Sequence, residues 1–155
     1  LSKWGLALQI DDKASYAIYD HHYGKLWDTY ERQQQLQEWS GLVFPLLAVR
    51  AWSMGLAGTD FVHHRNFTTA AEQHRRTVQD LMSDDLVASA DPLGNQHFQY
   101  QAGPDLWAKV PAFHYHPPPA AWALRSNWNS LAILLASLLL VLGGAWAAVA
   151  RQRAL

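Results

Sequence analysis

The chain has 155 residues, half of them hydrophobic and 16% charged, with a formal net charge of -1 and no cysteine. That length accommodates one domain rather than two. The near-neutral charge gives no electrostatic footing for nucleic acid, and the lack of cysteine excludes disulfides, thiol catalysis and thiolate metal sites.

The sequence opens on Leu1 without the basic, apolar and small-residue succession of a signal peptide. Either its start has been removed or it is a piece of a longer chain. Residues 11–39 predict a long amphipathic helix. Tyr16, Tyr19, Tyr23, Leu26 and Tyr30 recur at helical spacing on one face, and Asp20, Lys25, Asp28, Glu31 and Arg32 occupy the other. Residues 42–57 predict a second helix, apolar on nearly all sides apart from Arg50, with Pro45 in its first turn. It is too short to span a bilayer and reads as buried or interfacial. Residues 66–87 predict a third helix, with a stripe of Phe67, Ala71, His74, Val78 and Leu81. This stripe is expected to pack antiparallel on the tyrosine stripe of the first helix.

Residues 91–95, Asp-Pro-Leu-Gly-Asn, are turn chemistry. Residues 97–101 and 112–116 alternate, with Phe98 and Tyr100, then Phe113 and Tyr115, on one face. Both segments predict short strands. Pro117, Pro118 and Pro119 form a stiff spacer.

Residues 130–150 contain no charged side chain. About 20 such residues in a helix cross the roughly 30 Å hydrocarbon layer with every backbone group satisfied internally. Trp122, Trp128 and Trp146 flank or end the run, where tryptophan favours the headgroup level. Ser126 or Asn127 is placed to cap the helix. Gly143 and Gly144, with Ala147 and Ala148, make a small-residue face for a neighbouring helix. Arg151 and Arg153 follow the run, and Arg125 precedes it. The positive-inside bias puts the C-terminus in the cytoplasm. The opposite orientation belongs to a tail-anchored protein.

Imidazole and carboxylate groups draw attention as metal ligands. His63 and His64 follow Asp60 at helical spacing, and His114 and His116 would share one face of a strand. The spacing matches no metalloprotease signature. A helix cap or polar network around a turn accounts for Asp60, and Arg65 is also within its reach. No nucleophile elbow, phosphate-binding loop or dinucleotide fingerprint is present. The sequence thus carries no catalytic constellation and calls for no cofactor.

One ordered pattern is more specific. Leu56-Ala57-Gly58-Thr59-Asp60 is followed by His63, His64, Phe67, Glu72, Arg75 and Arg76. Leu106, Trp107, Val110, Pro111, Phe113 and Tyr115 come next, then the prolines, Trp122 and the terminal span. This order resembles the last extracytoplasmic region and final helix of a family of ABC-2-type permeases carrying a domain of unknown function. That family is distantly similar to the permease of the nitrous-oxide-reductase maturation transporter. The resemblance implies further transmembrane helices, from the same or a second permease, and a separate cytoplasmic ATP-binding subunit. Gly58, Thr59, Asp60, His64, Phe67, Glu72, Arg75, Pro111, Phe113 and Tyr115 carry the family pattern.

The expectation is therefore a mainly α protein of the plasma membrane. Residues 1–119 form an extracytoplasmic helical domain with a short β element. Residues 120–150 form an interfacial turn and a transmembrane helix, and residues 151–155 a cytoplasmic tail. The function expected is substrate handling or gating in a permease. A single-span metal-binding or sensor module and a tail-anchored interaction protein are the alternatives.

Overall fold

Six helices follow one another in a computed structural model that describes residues 2–89 and 100–152: α1 (Lys3–Ser40), α2 (Pro45–Leu56), α3 (Phe61–Ser89), α4 (Pro104–Trp107), α5 (Ala120–Ser126) and α6 (Trp128–Gln152). Contacts divide the chain into two units, Leu1–Trp27 with Phe67–His116 and Asp28–Asn66 with Pro117–Leu155.

α1 starts well before residue 11 because Ser2 caps it. The Ser2 hydroxyl accepts the Gly5 N–H at 3.1 Å, satisfying one of the donors that a helix start leaves open. The Ser2 N–H in turn donates to the Val87 carbonyl at 3.2 Å, so the cap is buried against the far end of α3.

In the first unit α1 and α3 run antiparallel, as their pairing order requires. Gln9 bonds Asp84, Asp12 bonds Gln79 and Ser83, Tyr16 bonds Asp80, and Asp20 bonds Arg76. The expected contact of two apolar stripes is not what joins them. The Arg76 guanidinium lies over the Tyr16 and Tyr19 rings at 4.8 and 5.5 Å, a cation–π arrangement. Tyr23, expected in the interface, is 40% exposed and stacks on Tyr19.

Phe67 turns instead to the segment after α4, meeting Phe113 and Tyr115 edge-on at 5.9 and 5.1 Å. Phe113 and Tyr115 are stacked on one another. Residues 112–116 form no strand, and no strand occurs among the described residues. The segment lies against a helix, with no second strand to share its backbone hydrogen bonds. Of the other expected strand, Tyr100 and Gln101 are irregular, and residues 97–99, like the 91–95 turn, lie outside the described residues.

In the second unit α2 packs on α5 and α6. Tyr30 of α1 meets Phe61 of α3 edge-on, and Arg65 pairs with Glu31 at 3.0 Å. α6 is long and apolar enough to cross a membrane, with a mean hydropathy of 2.3 over its best window. Only 6% of that window is buried within the chain, which is compatible with membrane anchoring.

Candidate functional site

The joint between α2 and α3 is built from the Leu56–Asp60 pattern, and each residue has a backbone task. α2 ends in a Schellman motif: Thr59 N–H donates to the Met54 carbonyl at 2.9 Å and Gly58 N–H to that of Gly55 at 3.3 Å. This geometry requires a left-handed residue, and Gly58 supplies it at φ 69°. Asp60 then caps α3, its Oδ1 accepting the His63 N–H at 2.9 Å.

The Asp60 carboxylate is 3% exposed and takes further partners. The His63 Nδ1 lies 2.5 Å from Oδ1, and the His63 ring packs edge-on against Trp122 of α5 at 5.0 Å. Oδ2 accepts the side-chain amide of Asn127 at 2.9 Å. The second amide hydrogen of Asn127 goes to the Ala123 carbonyl at 3.1 Å. Burial, the strongest influence, pushes the Asp60 carboxyl up. The Asn127 amide, the His63 N–H and the His63 ring together hold it below its ordinary value.

Asn127 sits between α5 and α6. Its side chain does not take the capping role the sequence offered it; its amide reaches back to Asp60 instead. Room for it exists because residue 55 is glycine. A Cβ at Gly55 would stand 2.2 Å from the Asn127 Nδ2. A cavity of about 50 Å³ beside Asp60, bordered by Gln34, Arg50, Met54 and Phe61, has room for water at most.

Among the described residues no three His, Cys, Asp or Glu side chains converge in a way that could hold a metal. Asp60 and His63 are brought together, while His64, His114 and His116 are exposed and outside this cluster. Arg65, a possible partner for Asp60, pairs with Glu31 instead. Sequence reasoning did not find Asn127 and Trp122 as partners of Asp60 and His63. The separation of 67 residues between Asn127 and Asp60 leaves no local spacing to read.

The remaining pattern residues belong to the first unit. Glu72 accepts from Arg75 Nε at 2.7 Å and from Arg76 Nε at 2.8 Å. Hydrogen bonding to Arg75, then to Arg76, outweighs burial and holds the Glu72 carboxyl down at about 2. Arg75 also bonds Gln79, and Arg76 reaches Asp20. Pro111 is exposed beside the Phe113 and Tyr115 ledge. An open groove of about 750 Å³ runs along this unit between Leu8, Val78, Met82, Leu86 and Tyr100, with Asp12, His74, Arg75, Gln79 and Ser83 as polar groups.

The arrangement is that of a helical membrane-associated module, with a buried polar clasp at the head of an apolar helix. The chain belongs to the DUF3526 family, a domain of unknown function, whose model matches residues 1–116. No curated protein and no solved structure matches the chain.

Proposed function

We propose that this chain is the last extracytoplasmic region and final transmembrane helix of an ABC-2-type permease in the plasma membrane. α6 crosses the bilayer with its C-terminus in the cytoplasm. The helices before it stand outside, where they handle substrate or gate its passage. A separate cytoplasmic ATP-binding subunit supplies the energy, and this chain performs no chemistry of its own.

The observation that carries the reading is the bond from Asn127 to Asp60. It fastens the α2–α3 turn to the residue that starts α6, so a shift of the head of α6 is passed to that turn rather than lost in a loose linker. The order of the pattern residues and the uncovered apolar surface of α6, which suits both lipid and sister helices, support the same reading. The open groove of the first unit offers a place for substrate handling.

The test is purification of the full-length protein from membranes in mild detergent. The expected result is several transmembrane segments and a stoichiometric ATP-binding subunit. A single-span protein with no such subunit would overturn the proposal.

A further inference from the structure

We infer that residues 41–49, the α1–α2 connection and the first turns of α2, insert into the outer leaflet of the bilayer and rest on lipid acyl chains beside α6. The inference depends on the reading of α6 as a span with its head outward.

No charged residue stands between Glu38 and Arg50. In that interval Leu42, Val43, Phe44, Leu46 and Val49 are 56, 73, 62, 78 and 48% exposed. A contiguous patch of this kind marks a contact with something apolar. Its position says what that is. α2 packs on α6, with Gly55 against Asn127 at the head of the span. Ala48 and Gly55 of α2 and Ser130 and Ile133 of α6 are buried. Leu46 and Val49 are left uncovered, so the exposed patch belongs to a helix already packed on the first turns of the apolar span.

The backbone of the connection satisfies most of its donors locally. The N–H groups of Gly41, Leu42, Val43 and Phe44 donate to the carbonyls of Glu38, Trp39, Ser40 and Ser40 at 3.0–3.1 Å. Residue 45 is proline and has no N–H to satisfy. The carbonyls of Gly41, Leu42 and Val43 and the Leu46 N–H have no partner among these bonds, so water must reach them, which keeps this backbone at headgroup level while the side chains reach the acyl chains. The depth is limited by the residues that bound the patch. The Glu38 carboxylate resists entry into hydrocarbon, and the exposed Arg50 can extend its guanidinium back to the headgroups. The segment therefore lies at the boundary of headgroups and acyl chains, as interfacial helices do, and does not span.

The test uses single-cysteine variants of the full-length protein in lipid nanodiscs, each carrying an environment-sensitive fluorophore. Phe44→Cys probes the patch, Leu139→Cys the exposed side of α6, and Lys13→Cys a position on α1 outside the membrane. Lipid-borne and water-soluble quenchers are applied in turn. Blue-shifted emission and lipid quenching at positions 44 and 139, with aqueous quenching at 13, is the expected result. Aqueous quenching at 44 with lipid quenching at 139 overturns the inference and leaves the span intact. Protection of 44 from both quenchers also overturns it, because another protein helix then covers the patch. Aqueous quenching at 139 removes the span itself, and the inference with it.

Discussion

The side-chain amide of Asn127 donates to Oδ2 of Asp60 at 2.9 Å, joining the start of the apolar terminal helix to the cap of α3. Asp60 is nearly inaccessible to solvent, so loss of its partner leaves a carboxylate oxygen buried and unsatisfied. Asn127→Ala and Asp60→Ala should each destabilise the purified protein by about 1–3 kcal/mol. The double variant should cost less than the sum. Thermal or denaturant unfolding in detergent measures both; strict additivity would show that the two groups do not interact.

The same carboxylate sets an acid limit. Its folded-state pKa lies below the ordinary 3.8, so its contribution is present above that value and is lost as pH falls through the depressed one. Glu72 behaves alike in the first unit, from an ordinary 4.5 to about 2. Stability should therefore fall from about pH 4.5 downward, and Glu72→Gln should flatten that fall while lowering stability at neutral pH. Helical circular dichroism during acid titration reads the difference. An identical acid profile in the variant would exclude Glu72 as a source.

Gly55→Ala separates two effects of opposite sign. Alanine favours a helix by about 1 kcal/mol over glycine, but its Cβ would stand 2.2 Å from the Asn127 amide nitrogen. The clash should dominate, with a net loss of about 1–3 kcal/mol. That loss should shrink in an Asn127→Ala background. Gly143→Ala, inside α6 and with nothing near its added Cβ, should meet no clash and leave the melting temperature unchanged or slightly raised by the helix preference alone.

Ser130 is the reverse case. Its hydroxyl is fully buried and has no hydrogen-bond partner, so the folded state bears its desolvation without return. Ser130→Ala should be neutral or stabilising by up to about 1 kcal/mol. A clear drop in melting temperature would mean that the hydroxyl is bonded after all.

The helical character and the terminal apolar helix were legible in the sequence because both rest on local pattern. The stripe from Tyr16 to Tyr30 and the uncharged run after Ser130 need only 3.6-residue spacing and a bilayer's width. The two-residue alternation of Phe113 and Tyr115 pointed to a strand, and residues 112–116 form none. It could not report the partner, which is the α3 surface around Phe67 rather than a strand. The tyrosine stripe was mistaken for a buried apolar seam because ring character says little about what covers a ring; Arg76 covers Tyr16 and Tyr19. At the clasp, Gly58, Thr59 and Asp60 were visible as a turn and a cap. Asn127 was not, since the bond it makes depends on tertiary packing and on the missing side chain of Gly55.

If the clasp works within the ATP-driven permease proposed above, it should bear on ATP turnover, measured in nanodiscs on the full-length protein with any ATP-binding subunit that copurifies with it. Asn127→Ala, confirmed to be inserted and assembled, should alter ATP turnover relative to wild type, while Ser130→Ala should match it. Wild-type turnover in assembled Asn127→Ala and Asp60→Ala complexes, or the absence of any associated ATPase, would contradict the account.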